Sequence, residues 1–202
     1  MNAAVPIVSF NVGGKRLLGV RRGLEVYSSI HKLPIPDDEV YLNETGLQGD
    51  VQVDERIVRD KRVHGGPLKA VYVYPRAHYQ LWANELSLAL LPGMFGENVT
   101  VDEVAEDRVI IGEQWSWGEA LLEVTSPRRP CYKLNMHLGD GTSEAMMANN
   151  RCGWYFKVLQ PGLVPTTGEM HIVHRPPDGV TILEAFQDKV RRKPTVPDIP
   201  EE

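Results

Sequence analysis

Residues 119–133 read Glu-Ala-Leu-Leu-Glu-Val-Thr-Ser-Pro-Arg-Arg-Pro-Cys-Tyr-Lys. In an extended chain, alternate side chains share a face, and Ala120, Leu122 and Val124 then fall together. Pro127 and Pro130 stiffen the next segment, so a strand over Glu119–Thr125 runs directly into a rigid basic loop. The same pattern recurs outward along the chain. Val5–Val12, Lys69–Tyr74, Val99–Val101, Arg108–Gly112, Trp154–Leu159 and Glu169–His174 are short stretches that read as further strands. The 18 glycines and 15 prolines are spread throughout and chop the chain into short segments.

Helical signals are fewer. Pro75 suits a first helical turn, and Tyr79, Trp82 and Leu86 follow at helical spacing. Thr142 or Ser143 caps a short helix running to about Asn149. Thr181 and Glu184 form a capping box, with Ile182, Phe186 and Val190 on one face and Arg191, Arg192 and Lys193 at the negative C-terminal end. Strands outnumber helices and no regular β–α alternation appears. The expected fold class is mainly β, a barrel-like core with a few covering α-helices. The expected division is a barrel over 1–175, then a short C-terminal helix and a disordered tail over 176–202.

At 202 residues, the chain favours one domain with at most a small appendage. Its 22 basic and 27 acidic side chains leave a formal charge of −5. That excludes a general nucleic-acid-polymer binder, which needs a basic stripe, but permits a local positive pocket. No apolar run approaches the roughly 20 residues of a membrane span. The N-terminus lacks the basic start of a targeting signal, so a cytoplasmic location is expected. The Asn98-Val99-Thr100 sequon then carries no meaning. Two cysteines, Cys131 and Cys152, are too few for a disulfide scaffold or a four-cysteine iron–sulfur cluster.

Several chemical motifs fail. Ser29-Ile30-His31-Lys32 matches a serine-acylase fragment without its companion motifs. Gly13-Gly14-Lys15 lacks phosphate-loop spacing. His171 and His174 point to opposite faces of a strand. Three stretches survive. In residues 126–133, two arginines beside Cys131 supply forks suited to phosphate, and neighbouring positive charge favours a thiolate, a soft metal ligand or nucleophile. His64-Gly65-Gly66-Pro67 lets backbone approach a ligand, or is an ordinary turn. Residues 92–98 end in Glu97 and Asn98, an acceptor and an amide, or merely a polar loop. Cys152, among apolar and aromatic neighbours, reads as structural.

The ordered motifs GLQGD (46–50), VHGGP (63–67), YPRAHYQLW (74–82), FGENV (95–99), the stretch 111–134 and CGWY (152–155) resemble the MOSC-domain proteins. Within them the chain is most similar to the YiiM-type branch, linked to resistance against N-hydroxylated base analogues such as hydroxylaminopurine. The similarity runs from about Gly46 to Gly162 and more weakly over Gly19–Lys32. It implies a MOSC-type β-barrel and binding of the molybdenum cofactor, a phosphate-bearing pterin with a sulfur-bound metal. A family-level association with pyridoxal phosphate binding comes with it.

By motif position, Cys131 is the molybdenum ligand. The resemblance assigns Arg128, Arg129, Glu97 and Asn98 to the phosphate and pterin, places His64 and Gly65 facing the cofactor, and lets Ser29 and Lys32 reach the phosphate. The implied chemistry is reduction of N–OH to N–H in a small N-hydroxylated substrate, with His64 and Glu97 as candidate proton donors. A separate electron-transfer protein is then required. Longer members carry a further C-terminal helical region, and if it docks the donor, partner choice here differs. The oligomeric state, a homodimer included, stays open. Two other readings compete: a cofactor-binding or sulfur-carrier module bearing a Cys131 persulfide, and a cysteine hydrolase pairing Cys131 with His64 or His137.

Overall fold

A computed structural model describes residues 3–51, 57–58, 61–62 and 65–195. In chain order the strands are β1 (Ala3–Val12), β2 (Arg16–Arg21), β3 (Leu24–Ser28), β4 (Leu33–Pro34), β5 (Glu39–Asn43), β6 (Gly46–Leu47), β7 (Ile57–Val58), β8 (Lys61–Arg62), β9 (Val71–Pro75), β10 (Val99–Val101), β11 (Gln114–Trp117), β12 (Ala120–Pro127), β13 (Trp154–Gln160), β14 (Gly162–Pro165) and β15 (Glu169–His174). The helices are α1 (Ala77–Leu86), α2 (Tyr132–Leu138), α3 (Thr142–Asn149) and α4 (Ile182–Arg192).

Seven strands follow one another as β10-β9-β13-β12-β11-β15-β1, and β1 returns to pair with β10. The sheet therefore closes, which removes its edges. Only β9 and β10 pair in parallel within this barrel, and the crossover that a parallel pair needs carries α1. Inside lie Val71, Val73, Trp115, Trp117, Leu122, Val124, Trp154 and Phe156, all buried. Ile182 and Phe186 of α4 pack into the same core. The Thr181–Glu184 capping box is present, its Oγ1 accepting from the Glu184 amide at 3.1 Å.

Strand β9 is buried on both faces. Its period of two sends Val71 and Val73 inward and Tyr72 and Tyr74 outward. The outward pair meets Tyr79 and Trp82 of α1, Phe95, Leu134 and Leu138 of α2, and Met146 of α3. The short helices thus cover one outer wall of the barrel, and the candidate site lies in that layer.

Some local expectations need correction. Pro75 ends β9 and does not open α1, whose N-cap is Arg76. Arg108–Gly112 is not a strand; Ile110 makes one isolated bridge, to Thr181 at the α4 cap. Gly141 caps α3; the Thr142 hydroxyl instead donates to the Gly139 carbonyl at 2.7 Å and Ser143 to that of Cys131 at 2.9 Å. Helix α2 begins where the sequence shows only a loop. Its seven residues carry no capping box, and its register is set by packing Leu134 and Leu138 against Phe95 and Met146. The expected tail over 196–202 lies outside the described residues.

Candidate functional site

The loop after β12 leaves the barrel at Pro127 and ends at Cys131, the N-cap of α2. Its start is tied to the barrel by the Arg128 amide, which donates to the Gly153 carbonyl at 3.3 Å. Gly153 has φ 63°, and a methyl group there would collide with the Val73 carbonyl oxygen. This is the physical reason for glycine in the Cys-Gly-Trp-Tyr stretch. At the loop's far end, the Ser143 hydroxyl on α3 fixes the Cys131 carbonyl.

Between this loop and the β3 end lies a cavity of about 120 Å³. Tyr72, Tyr155 and Phe95 supply its aromatic surface. Ser28, Ser29, Ile30, Lys32, Asp50, Val51, Gly65, Gly96 and Asn98 line it from the N-terminal half of the chain. Lys69, Arg128, Arg129, Cys131 and Lys133 complete it. Cys131 is half-buried. Five cationic side chains and one carboxylate face one small space on an acidic chain. Such a lining selects an anion.

Arg128 is 7% exposed, with its guanidinium 5.1 Å from the Tyr72 ring centroid and Nη1 3.4 Å from the Tyr72 hydroxyl. Burial works against its charge, but Tyr72, Tyr155 and Cys131 outweigh it and raise the pKa. Among the described residues it pairs with no carboxylate. The charge of Cys131 also acts on Lys69, opposing the burial that lowers that ammonium's pKa.

The other predicted residues divide. Gly65 and Ser29 line the cavity. Lys32 does too, but its ammonium lies 2.5 Å from both carboxylate oxygens of Asp50, in a buried ion pair. Asn98 is used internally: its amide oxygen accepts from the Tyr72 amide at 3.0 Å and its nitrogen donates to Asp50 at 2.9 Å. Arg129 lines the cavity yet donates to carbonyls at the end of α4. His64 lies outside the described residues.

Glu97 needs a correction as a proton donor to substrate. It is fully buried, absent from the cavity lining, and accepts from the Tyr79 hydroxyl, the Gly93 amide (2.7 Å), the Phe95 amide (3.1 Å) and the Thr100 hydroxyl (2.9 Å). Burial raises its pKa, and those donors oppose the rise. It anchors the 92–98 loop. His137 is likewise absent from the lining; its ring packs against that of His31, with centroids 5.3 Å apart. The Cys131–His137 hydrolase pairing gains no geometry from this.

Sequence reasoning missed Asp50, Lys69, Tyr72, Lys133 and Tyr155. The alternation of Val71–Tyr74 carried a signal for Tyr72, since a strand with valines inward must place its tyrosines on the other wall. Asp50 closes the quoted 46–50 motif, but nothing local tells that Lys32 is its partner.

Fold and site together define a class: a small closed β-barrel with a cysteine beside a cationic cavity on its covered wall. The MOSC domain model matches residues 60–170, and the chain belongs to the MOSC-domain family. MOSC domains are generally associated with molybdenum cofactor binding. The chain is 41% identical to Protein YiiM of Escherichia coli over 163 residues, 78% of this chain and 69% of the relative. It is 30% identical to a Gibberella moniliformis protein named Reductase, covering 85% of this chain but only 30% of that one. The crystal structure of YiiM from Geobacillus stearothermophilus matches with a TM-score of 0.73 at 27% identity, over 93% of this chain and 85% of that one. That of Escherichia coli YiiM matches at 0.68 and 32% identity, over 91% and 76%. Among the described residues, no helix is long and apolar enough to cross a membrane.

Proposed function

We propose that the chain is a molybdenum-cofactor-dependent reductase of N-hydroxylated compounds, taking electrons from a separate protein. One observation carries this reading: a half-buried Cys131 borders a cavity lined by cations, on a chain of net charge −5. The donor set fits the cofactor's chemistry. Arg128 is a buried cation with no carboxylate partner among the described residues, suited to a phosphate. Tyr72 and Tyr155, their ring centroids 5.1 Å apart, offer flat surface to a pterin. Among the described residues, no group of three or more His, Cys, Asp or Glu side chains is arranged to hold a metal ion. A metal would thus bring ligands of its own and take the soft Cys131 sulfur from this chain.

The reaction converts R–NHOH, two electrons and two protons into R–NH₂ and water. When bound, the cofactor supplies the electron transfer at the N–O bond. Cys131 holds it, Arg128 neutralises its phosphate, and the aromatic walls limit water. Lys69 lines the cavity and, unlike Lys32, is not held in the Asp50 ion pair; burial lowers its pKa, which suits it to donate a proton. The cytoplasm is the proposed location, with no nucleic-acid polymer as partner.

The test is the molybdenum and pterin content of wild type and Cys131→Ala, both purified from a host that makes the cofactor. Near-stoichiometric metal and pterin in wild type, lost in the variant, is expected, together with reduction of 6-hydroxylaminopurine by wild type alone. Neither metal nor pterin in wild type overturns the reading. A reductant-reversible mass increase of one sulfur on Cys131 would then identify the sulfur carrier.

A further inference from the structure

Arg128 is referred at both ends to one turn of chain. Its amide donates to the Gly153 carbonyl at 3.3 Å. Its guanidinium Nη1 donates to the Tyr72 hydroxyl at 3.4 Å, and that hydroxyl donates in turn to the Cys152 carbonyl at 2.9 Å. Chemistry fixes these roles, because a carbonyl only accepts and a guanidinium only donates. Tyr72 must therefore give its single proton to Cys152 and turn a lone pair to Arg128. Burial raises the Tyr72 pKa well above its ordinary value, although Arg128 opposes the rise, so the hydroxyl keeps that proton at neutral pH.

The turn and the tyrosine are both held. The Gly153 amide donates to Glu106 at 2.7 Å, and the other oxygen of that buried carboxylate lies 2.8 Å from His78 Nε2. The Tyr72 amide donates to the Asn98 side chain at 3.0 Å, and its carbonyl accepts from the Asn98 amide at 2.8 Å. A methyl group on Gly153 would come within 2.9 Å of the Tyr72 ring, so glycine there also lets the ring approach the turn.

We propose that Tyr72 is a positioning residue: its hydroxyl, oriented by Cys152, holds the Arg128 guanidinium in the cavity wall, where a phosphate meets an ordered fork. Contact of the Tyr72 ring with a pterin is a separate role. Assigning the anion to the cofactor's phosphate rests on the reductase reading; the orientation of Arg128 does not. An arginine ordered only at the moment of binding loses affinity to conformational entropy, and prior ordering avoids that loss.

Tyr74 supplies the control. It stands on the same outer wall of β9, and its hydroxyl donates to the Arg151 carbonyl at 3.0 Å, beside the same turn. It accepts from Trp82 instead of an arginine and is absent from the cavity lining. Tyr72→Phe and Tyr74→Phe each remove one buried hydroxyl-to-carbonyl bond, and only the first removes a contact to Arg128.

The experiment has two arms. In the first, NMR spectra of the arginine guanidinium groups are recorded on isotope-labelled, cofactor-free protein, with Arg128→Met assigning the signals. Hindered rotation should leave the Arg128 Nη–H signals resolved in wild type and in Tyr74→Phe, and averaged in Tyr72→Phe. Averaged signals in wild type, or resolved ones in Tyr72→Phe, overturn the proposal.

In the second arm, the same proteins are titrated with inorganic phosphate. Tyr72→Phe is expected to bind about five-fold more weakly and Tyr74→Phe as wild type does, while Tyr72→Phe adds nothing in an Arg128→Met background. An equal loss in both tyrosine variants, or a Tyr72→Phe effect that persists without Arg128, overturns the proposal, since a loosened fold or a direct contact then explains it. No phosphate binding by wild type, with the NMR contrast intact, refutes Arg128 as the phosphate group of the reductase reading and supports the positioning by Tyr72.

Discussion

The Lys32 ammonium and the Asp50 carboxylate form a buried ion pair in the cavity wall, 2.5 Å from nitrogen to each oxygen, with side chains 7% and 3% exposed. Asp50 also accepts from the Gly13 amide at 2.8 Å and from Asn98 at 2.9 Å. The carboxylate therefore joins three segments, and Lys32 brings no uncompensated charge to the cavity. Asp50→Ala strands a buried ammonium and should cost about 3–5 kcal/mol. Lys32→Met should cost less, because Asp50 keeps two donors. Urea denaturation midpoints test the order, and equal small losses would remove the pair as an anchor.

Arg128 presents the opposite case, a buried cation without a carboxylate among the described residues. Replacing it with an apolar chain removes a desolvated charge. Arg128→Met should leave the melting temperature unchanged or raise it, while pterin retention falls about ten-fold or more. A melting temperature several degrees lower would make Arg128 a structural residue.

His137 predicts a pH dependence. Burial first, then the charge of His31, lowers its pKa to about 4. The unfolded chain, with a pKa near 6.5, binds the proton more readily. Stability from this site is complete above about pH 6.5, is lost as pH falls from there to about 4, and is constant below. Melting temperatures of wild type should therefore fall more steeply across that window than those of His137→Gln. Parallel lines would refute the assignment.

At Gly153, alanine would combine a φ of 63° with a clash against the Val73 carbonyl. Gly153→Ala should cost about 2–4 kcal/mol. Gly139→Ala is the control, since Gly139 has φ 112° and nothing within 4 Å of an added methyl. Equal costs at both positions would leave backbone conformation as the whole cause.

Barrel strands were legible where alternation and turn residues agree, as in β12, β13 and β15. Both ends of α4 were legible because a capping box and a basic last turn are local signals. The hairpin of β2 and β3 was not, because Leu17, Val20 and Leu24 are exposed and obey no inward pattern. Helix α2 was hidden by its short length and by the prolines before it. The Pro-Arg-Arg-Pro-Cys loop was visible as a site, but Glu97 was misread, because a carboxylate in a glycine-rich loop looks the same whether it faces ligand or its own backbone amides.

By itself, the sequence determined a mainly β chain and the loop that carries Cys131, since alternation, proline and glycine act over a few residues. Which charges remain available around Cys131 was decided only by the tertiary structure. Lys32 meets Asp50 across 18 positions, and Arg129 meets the Thr195 carbonyl across 66. Those pairings depend on how closed strands bring distant loops together, and no local periodicity encodes the direction of a loop side chain.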